Sequence, residues 1–508
     1  MLNIPKHWIC YLTGCVFLGQ AICQMAGAQS EPLSDANPLD TLPGYVLPLT
    51  YDPLLTPAPV IQARINGSEP LPFVIDTGLF YPVFIDKQVA AKLGLRPNGE
   101  TVHNLEGKKI GDVGELRSLD IVGSGKTPLI QTDLQEAGIV DLGEMKNLFA
   151  GPKIAGVLGA PLFATLTARF DFVAKTLTIY FPAHAPLHLK GAVSLPLKPI
   201  REGEYCQTVP LKAEDGTRVD VAIDTGSVYI HLPFDILQHF SIQATAPGEQ
   251  ASWTPKGIVR EKLHLLASLR IGDRQEPDVL ATRATEPSAI ASLGMDFLSR
   301  FRVTLDLRNK QLTLEPAADY EKRIRQPGVS DIALARKADY YVAQKVPSGS
   351  APALAGIRRG DKILMVDGYA LDTLPLAVAQ RVLNGFAGTR AEVTVEHADK
   401  QRATVSFERA YLLREVATPK IGVGIEAGKT AEGRLLIIGL EKSGPAQEAG
   451  LQVEDEIVEI NGEPIQQLSR DQLAARMRQP EGSEVRLKIR RKGESTLREY
   501  RLKFAKLR

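Results

Sequence analysis

Cysteine is scarce in this chain, and its distribution excludes an internal disulfide from most of the sequence. Only four cysteines occur in 508 residues, and Cys10, Cys15 and Cys23 all lie within the first 28. A disulfide framework needs an even set of cysteines, and only Cys206 remains. No histidine partner is evident near Cys206, so we predict that it is a buried structural thiol.

An excess of charge of either sign is also missing. The chain has 60 basic and 59 acidic residues, and its first 28 residues hold Lys6 and no acid. Proteins that bind nucleic acid usually present a basic face to the phosphates, so nucleic acid is not the expected partner. The locally basic stretch 486–508 alternates apolar and charged residues, which predicts a strand with a solvated charged face.

Several catalytic signatures are absent as well. The histidines are scattered, and none has the His-x-x-His spacing of a metal site. The sequence has no Gly-x-x-x-x-Gly-Lys-Ser loop and no Gly-x-Ser-x-Gly elbow. Lone histidines are usually structural. We therefore expect no metal and no cofactor. Four of these histidines are His103, His231, His239 and His264.

The N-terminus has the features of an export signal. Lys6 precedes a largely apolar stretch at 8–22, and Ala26-Gly27-Ala28 has the small-x-small pattern of a cleavage site. We expect residues 1–28 to be removed and the protein to be periplasmic. Two alternatives stay open. The apolar stretch approaches membrane-spanning length, which would give an uncleaved anchor. The Leu-Thr-Gly-Cys sequence ending at Cys15 resembles a bacterial lipobox, which would give a lipidated protein.

An internal repeat occupies about residues 45–316. Phe73-Val74-Ile75-Asp76-Thr77-Gly78 recurs as Val221-Ala222-Ile223-Asp224-Thr225-Gly226-Ser227, and Gly156-Val157-Leu158-Gly159 recurs as Ala291-Ser292-Leu293-Gly294. Apolar alternating runs that end at Gly, Asp or Asn turns predict that each copy is mainly β. A short helix is expected after each Asp-Thr-Gly, as at 86–95, and another after each apolar-Gly element.

The two Asp-Thr-Gly copies predict a pair of catalytic carboxyls, Asp76 and Asp224. Like charges about 3 Å apart cannot both ionise, so such a pair holds one proton. The ionised member accepts a proton from water, and the protonated member donates to the substrate oxygen. The titration belongs to the pair and not to either residue. This chemistry hydrolyses a peptide without a metal or a covalent intermediate.

The residues that follow each aspartate have a predicted supporting role. The hydroxyls of Thr77 and Thr225 can donate to the backbone of the opposite loop and lock the carboxyls in place. Gly78 and Gly226 let the two loops approach closely. Ser227 completes the second motif.

These residues resemble the retropepsin-like and pepsin-like aspartyl peptidases. In that family each of two lobes contributes one Asp, and an apolar-apolar-Gly strand passes beside each loop. Val157-Leu158-Gly159 fits this pattern, whereas Ser292 departs from it, and Leu79 replaces the usual Ala or Ser. The resemblance implies an aspartic-type endopeptidase built from two β-barrel lobes. It also implies a hairpin flap, for which 107–114 and 254–260 are candidate tips.

Most bacterial members of the family carry one lobe per chain and must dimerise. This chain carries both copies of the motif, so we expect a monomer that forms a pseudo-dimer within itself.

A second repeat follows, at an offset of 94 residues. Residues 350–363 recur at 444–457, and the turn at 366–368 recurs at 460–462. About 90 residues can form a small domain. Both units resemble bacterial PDZ domains, which add an extended chain end to a sheet edge. In such domains a Gly-rich loop offers N–H groups to the terminal carboxylate.

The two units differ at that loop. The second has a Gly-rich loop, whereas the first has Asp331 without glycine, and an aspartate would repel a carboxylate. We therefore predict that the second unit binds peptide termini and that the first is structural or intramolecular. Two packing modules without a ligand remain the alternative. The predicted loop is Ile421, Gly422, Val423, Gly424 and Ile425.

A chain of this length is too long for one hydrophobic core. The PDZ units are expected to tether or select substrates for the peptidase. The alternatives are an inactive exported peptide-binding protein and a PDZ scaffold in which cleavage is minor. The predicted parts are a signal peptide at 1–28, a linker at 29–44, protease lobes at 45–185 and 195–316, and PDZ domains at 327–410 and 419–508.

Overall fold

The chain is mainly β, as the sequence predicts: in a computed structural model 50% of it is strand and 14% helix. The predicted signal peptide and the linker up to residue 43 lie outside the described residues. Within the described ranges no helix is both long and apolar enough to cross a membrane. The structure describes residues 44–103, 108–122, 128–132, 136–151, 153–180, 191–200, 206–254, 257–283, 290–415, 421–430, 433–477 and 479–507.

The first copy of the Asp-Thr-Gly repeat, called lobe 1 below, covers residues 44–180. Its helices are α1 (Lys87–Lys92) and the 3-10 helices Gly143–Leu148 and Ala160–Phe163. Helix α1 begins at the predicted place because Asp86 caps it, accepting a hydrogen bond from the Gln88 amide. The strands are β1 (Gly44–Pro48), β2 (Thr50–Asp52), β3 (Thr56–Ile65), β4 (Leu71–Asp76), β5 (Val83–Asp86), β6 (Pro97–His103), β7 (Lys109–Glu115), β8 (Leu119–Val122), β9 (Pro128–Thr132), β10 (Glu136–Val140), β11 (Gly156–Gly159), β12 (Thr167–Asp171) and β13 (Thr176–Tyr180).

The second copy, called lobe 2, covers residues 191–316. The helices of lobe 2 and of the segment that follows it are α2 (Phe234–Leu237), α3 (Met295–Leu298) and α4 (Tyr320–Arg323). The strands are β14 (Val193–Pro196), β15 (Lys198–Pro199), β16 (Gln207–Lys212), β17 (Arg218–Ile223), β18 (Ile230–Leu232), β19 (Ile242–Thr254), β20 (Gly257–Ile271), β21 (Arg274–Arg283), β22 (Ser292–Leu293), β23 (Phe301–Asp306) and β24 (Gln311–Pro316). Cys206 is fully buried in this lobe.

A six-stranded antiparallel sheet joins the two lobes. Its order is β1-β13-β12-β23-β24-β14, so three strands from each lobe meet between β12 and β23. Ala168 pairs there with Leu305, and Phe170 pairs with Val303. Buried side chains from both lobes form one continuous hydrophobic core around this sheet. Burial of this core fixes the relative position of the lobes, and therefore of the loops that each lobe carries.

Two similar units follow, called the first and second PDZ-like units, and each has its own buried core. Their sheets have matching orders, β26-β27-β28-β30-β31 and β35-β36-β37-β39-β40. The predicted hairpin turns are confirmed: Asp367, Gly368, Asn461 and Gly462 all have positive φ, as a tight two-residue turn requires. The predicted basic strand at the end of the chain is also confirmed, in β39 and β40.

The elements of the first unit and its connection are β25 (Gly328–Val329), β26 (Ala333–Lys337), β27 (Tyr340–Lys345), α5 (Ala351–Leu354), β28 (Lys362–Val366), β29 (Tyr369–Ala370), α6 (Leu376–Asn384), β30 (Arg390–Glu396), β31 (Arg402–Glu408), β32 (Ala410–Tyr411) and β33 (Arg414–Glu415). Those of the second are β34 (Ile421–Gly422), β35 (Ile425–Lys429), β36 (Leu435–Leu440), α7 (Pro445–Glu448), β37 (Glu456–Ile460), β38 (Glu463–Pro464), α8 (Arg470–Arg476), β39 (Glu484–Arg490), β40 (Leu497–Lys503) and β41 (Ala505–Lys506). Short 3-10 turns span Leu371–Thr373 and Ile465–Gln467.

Each PDZ-like unit packs against one lobe. Arg381 on α6 donates to the carbonyl oxygens of Leu54 at 2.5 Å and Leu148 at 2.7 Å in lobe 1. In the second unit Gly439 lies against the ring of Phe234 in lobe 2, and Arg283 of lobe 2 forms an ion pair with Glu426 on β35. The two units are thus docked onto the lobes and do not trail from them.

Candidate active site

The loops that follow β4 and β17 meet between the lobes and are held together by two threonines. The Thr77 hydroxyl donates to the carbonyl oxygen of Ile223 at 2.7 Å, and the Thr225 hydroxyl donates to that of Ile75 at 2.7 Å. Each hydroxyl also accepts the backbone amide of the other threonine at 3.1 Å. Both side chains are buried, at 3% and 2% exposure. Four buried hydrogen bonds thus tie one loop to the other in a pseudo-symmetric arrangement.

The glycine after each threonine leaves room for the opposite carboxyl group. A Cβ atom added to Gly226 would lie 2.4 Å from Cγ of Asp76, and one added to Gly78 would lie 2.8 Å from Cγ of Asp224. Carbon atoms cannot approach that closely without displacement. Each glycine is therefore required because the aspartate of the other lobe occupies the space beside it.

The carboxyl groups of Asp76 and Asp224 lie at the junction of the two loops, each beside the glycine of the opposite loop, and each affects the pKa of the other. The Gly78 amide donates to Asp76 Oδ1 at 2.9 Å, and the amides of Gly226 and Ser227 donate to Asp224 Oδ1 at 2.9 and 3.0 Å. Burial raises the pKa of Asp76 well above its usual range, and the neighbouring charge of Asp224 raises it further. Burial also raises the pKa of Asp224, and its interaction with Asp76 opposes that rise. The two carboxyls therefore retain one proton between them.

The apolar-Gly strands lie beside these loops. In lobe 1, β11 runs parallel to β4 and places Gly159 opposite Asp76. In lobe 2, β22 runs parallel to β17 in the same way. A Cβ atom at Gly159 would lie 1.9 Å from the carbonyl oxygen of Tyr81, and one at Gly294 would lie 2.2 Å from that of Tyr229. In both lobes, a neighbouring backbone segment therefore lies too close for any residue larger than glycine at this position.

Residues 61–162 match the family model described as "Aspartyl protease". The chain contains an aspartyl protease domain. Residues 437–491 match the family model described as "PDZ domain". The protease match lies within lobe 1 and includes Asp76 and the whole of β11, and the PDZ match lies within the second PDZ-like unit.

Curated relatives match the PDZ region. The chain is 35% identical over 86 residues to "Carboxy-terminal processing protease CtpB" of Bacillus subtilis, which covers 17% of this chain and 18% of that protein. It is 42% identical over 82 residues to "Carboxyl-terminal-processing protease" of Synechocystis sp., covering 16% of this chain and 19% of that protein. The chain thus spans less than a fifth of the length of either relative.

A solved structure of "Photosystem II D1 C-terminal processing protease" is also similar over a short segment. It is 26% identical, with a TM-score of 0.17, and the similarity covers 19% of this chain and 25% of that chain.

Two hairpins of the protease lobes extend from their sheets, β6–β7 and β19–β20. The candidate tip at 254–260 contains the connection from β19 to β20. In the candidate tip at 107–114, residues 109–114 lie in strand β7, and Gly107 lies outside the described residues. Gly111 is a strand residue, and a Cβ atom there would lie 2.3 Å from the carbonyl oxygen of Ile139 in the neighbouring strand.

A polar cluster in lobe 2 was missed by the sequence analysis, which treated His231 as a scattered histidine. His231 Nδ1 lies 3.2 Å from Thr282 Oγ1 and 3.4 Å from Glu261 Oε2. Burial raises the pKa of Asp224, and His231 is among the groups that oppose this rise. The signal in the sequence was the departure at Ser292, since Ser292 pairs with His231 across β22 and β18.

In the first PDZ-like unit, side chains bridge the two elements that correspond to the walls of a PDZ peptide groove. Such a groove lies between an edge strand and a helix, here β26 and α6. Gln380 on α6 accepts from the Leu334 amide at 2.9 Å and donates to the carbonyl oxygen of Ile332 at 2.9 Å. These are main-chain groups that an added peptide strand would need. Asn384 accepts from Ser330 Oγ at 2.9 Å, next to the loop residue Asp331 of the first unit.

The corresponding loop of the PDZ domain connects β34 to β35. Gly424 has φ +73, so it adopts a left-handed conformation that favours glycine. The Ala446 amide donates to the carbonyl oxygen of Val423 at 2.9 Å, and Val423 is buried in the core. Strand β35 is an edge strand of its sheet. The repeat places alanine at position 474, which corresponds to Gln380, so the sequence of the second unit lacks an amide side chain at this position.

Proposed function

We propose that this chain is an aspartic-type endopeptidase in which Asp76 and Asp224 activate a water molecule. The observation that carries the proposal is the pair of reciprocal hydrogen bonds of Thr77 and Thr225, which tie together the two loops that carry the carboxyls. Two carboxyls that share one proton supply a base for water and an acid for the carbonyl oxygen. A structural pair would not need two buried, partly desolvated acids facing each other, because such a pair destabilises the fold.

We propose the following proton transfers for the reaction. Ionised Asp224 takes a proton from water while the water oxygen bonds to the peptide carbonyl carbon, and Asp76 gives its proton to the carbonyl oxygen. Asp224 then delivers its proton to the leaving nitrogen as the C–N bond breaks. Asp76 recovers a proton from one hydroxyl of the intermediate, which restores the carboxylic acid product and the starting state of the pair.

The complete pair lies within one chain, so we propose that the active species is a monomer. Each lobe contributes one aspartate, and the shared six-stranded sheet does what a dimer interface does in single-lobe relatives. Light scattering of the active enzyme tests this point. We further propose that the protein is exported to the periplasm, as the sequence at residues 1–28 indicates.

The PDZ-like units have different proposed roles. The second binds protein C-termini or extended segments at β35 and the loop before it. Contact of Glu426 on β35 with Arg283 places that strand against lobe 2, so a bound substrate is held near the protease lobes. Tethering raises the local concentration of a weak substrate. The first unit is structural, since side chains bridge the walls of its groove and α6 is docked on lobe 1.

Hydrolysis of casein and of a peptide library at several pH values tests the proposed activity. Asp76→Asn and Asp224→Asn each keep the size of the side chain and remove the acid. We expect hydrolysis by the wild type and its loss, by at least about 10³-fold, in each variant. Hydrolysis that survives in either variant would overturn the catalytic assignment.

A further inference from the structure

Hairpin β19–β20 of lobe 2 pairs with a strand from outside the protease lobes. Strand β33 lies in the connection between the two PDZ-like units and runs antiparallel to the base of β19, with Glu415 opposite Ala244 and Arg414 opposite Thr245. It forms the edge of the nine-stranded sheet of lobe 2, whereas in the described part of lobe 1 the corresponding edge is β6, the first strand of the other hairpin. A segment that follows the first PDZ-like unit therefore belongs to the sheet of lobe 2.

The residues just before β33 complete an apolar cluster at the base of this hairpin. Leu413 is 5% exposed and packs with buried residues of β19, β20 and β21, and Leu412 and Tyr229 lie against the same cluster. Tyr229 follows the Asp224 loop, and its carbonyl oxygen accepts a hydrogen bond from Ser227 Oγ at 3.0 Å. The cluster thus reaches from the hairpin to the loop that carries the aspartate. Its other buried members are Ala244, Ala246, Leu263, Leu265 and Leu280.

Lobe 1 fills the corresponding cluster with its own chain. There β6, β7 and β10 contribute apolar residues, and Tyr81 has the position in the repeat that Tyr229 has in lobe 2. Four further buried side chains come from residues 141–155, between β10 and β11, whereas the connection between β21 and β22 in lobe 2 is the shorter segment 284–291. Among the described residues, Leu412 and Leu413 take the place of these side chains in lobe 2. The four residues of lobe 1 are Leu142, Met145, Phe149 and Ile154.

The first PDZ-like unit also packs on this segment of lobe 1. Arg381 on α6 donates to the carbonyl oxygen of Leu148 at 2.7 Å, and Leu55 and Ala150 pack against the core of the unit. The unit thus contacts the filling segment of lobe 1 through its helix, and the chain that leaves it fills the cluster of lobe 2.

We propose that Leu413 and β33 are a positioning element of the protease, which holds the base of hairpin β19–β20 in place. The inference rests on the proposed function, in which this hairpin is a candidate flap over the bound peptide. Burial of Leu413 in the cluster and the main-chain pairing of β33 both oppose movement of the hairpin base. Activity therefore depends on a segment that lies beyond both protease lobes in the sequence.

Leu413→Ala tests the proposal, because it leaves a cavity in the cluster and loosens the hairpin base. We expect KM for an extended peptide to rise by about threefold or more and kcat to change by less than about twofold, since the loops that carry the carboxyls keep their threonine hydrogen bonds. Leu413→Met, which nearly keeps the volume of the side chain, should retain the wild-type KM.

Leu374→Ala is the matched control. Leu374 is 8% exposed and packs in the core of the first PDZ-like unit, away from the cluster of lobe 2. Its loss should leave KM unchanged even if it lowers the stability of that unit. An unchanged KM in Leu413→Ala, or an equal rise in both alanine variants, would overturn the role of Leu413.

A disulfide between positions 245 and 414 tests whether β33 stays on the hairpin. Opposite residues of an antiparallel pair have Cα atoms within disulfide range, and the native Cys206 of lobe 2 is buried. We expect the oxidised Thr245→Cys/Arg414→Cys variant to hydrolyse peptide within about twofold of its reduced form. An oxidised form that is inactive and recovers on reduction would show that β33 must leave β19, which would overturn the inference.

Hydrogen exchange of the full-length protein separates this inference from the proposed function. The amides of residues 242–266 should exchange faster in Leu413→Ala than in the wild type or in Leu374→Ala, and those of β6 and β7 should not change. Unchanged exchange at 242–266 would overturn the inference and leave the peptidase intact. If the wild type hydrolyses nothing, the proposed function fails, yet exchange still decides whether Leu413 and β33 hold the hairpin. If Leu413→Ala does not fold, Leu413→Val makes the same test with a smaller cavity.

Discussion

The hydroxyls of Thr77 and Thr225 make the same two hydrogen bonds across the boundary between the lobes, each donating at 2.7 Å and accepting at 3.1 Å. Each of these hydrogen bonds joins one lobe to the other, so none of them can form within a single lobe. The threonines therefore couple the folding of the interface to the placement of the carboxyls, and the consequences of this coupling can be measured.

Thr225→Val removes both hydrogen bonds of one hydroxyl and keeps the shape of the side chain. Because the Ile75 carbonyl and the Thr77 amide are then left unpaired in a buried site, we expect a loss of about 2 to 4 kcal/mol in the free energy of unfolding. Peptidase activity should fall because the loops are no longer locked. Urea unfolding and peptide hydrolysis measure the two effects. Thr225→Ser, which keeps the hydroxyl, should retain most of both, and an equal loss in both variants would contradict this role.

Gly226→Ala places a methyl group where the Asp76 carboxyl lies, 2.4 Å from its Cγ. The two carboxyls must then separate, so we expect activity to fall by at least about 10²-fold. Gly216→Ala is a useful comparison, since φ there is +86 and an added Cβ atom meets nothing within 4 Å. It should cost about 1 kcal/mol of stability through backbone strain and leave kcat/KM unchanged. Similar activity losses in both variants would refute the steric explanation.

The stability of the protein should depend on pH through the aspartate pair. Burial raises the pKa of Asp76 and of Asp224 above their values in the unfolded chain. At a pH between the unfolded and the folded pKa, the native state therefore still holds a proton that the unfolded state has released. The contribution of the pair is therefore most favourable below the usual aspartate range and is lost as pH rises through the raised folded pKa. Asp76→Asn, which carries no charge at any pH, should be more stable than the wild type at pH 8, with a smaller difference at pH 4. Urea unfolding at both pH values measures this, and a difference that grows toward low pH would show that the sign is wrong.

Gln380 and position 474 allow a reciprocal exchange between the PDZ-like units. Gln380→Ala frees the Leu334 amide and the Ile332 carbonyl, so the first unit should acquire binding of apolar-ended peptides. Ala474→Gln should weaken binding at the second unit by about tenfold or more, because the new amide competes for the same edge strand. Calorimetric titration of the full-length protein with one such peptide counts the sites. An unchanged number of sites in Gln380→Ala, or an unchanged affinity of the second unit in Ala474→Gln, would contradict the account of the grooves.

Much of the fold and of the aspartate pair was predictable because each feature occurs twice in the sequence. A repeated Asp-Thr-Gly after three apolar residues implies two equivalent strand ends. A repeated glycine in the apolar strand implies that a neighbouring backbone segment comes close to that strand in each copy. Helix α1 was predictable locally, since Asp86 is a good N-cap residue. In each of these cases the physical cause lies in neighbouring residues or in the symmetry of the repeat.

Features without a repeated counterpart escaped the sequence analysis. His231 and Glu261 are brought together by the register of β18, β20 and β21, which no local pattern specifies. Gly111 fell within a candidate flap tip, although it lies in β7, where the backbone of Ile139 approaches closely. The hydrogen bonds between β26 and α6 in the first PDZ-like unit depend on a single glutamine whose partners lie 46 and 48 residues away. These contacts follow from tertiary packing, and apart from the departure at Ser292 nothing in composition or spacing points to them.

The most direct test of the central claim is a double-mutant comparison of kcat/KM for wild type, Asp76→Asn, Asp224→Asn and the double variant on one peptide substrate. Two carboxyls that share a proton act as one unit, so each single variant should lose as much activity as the double variant does. If the loss of kcat/KM in the double variant equals the product of the two single losses, or if a single variant remains active, the two aspartates do not work together.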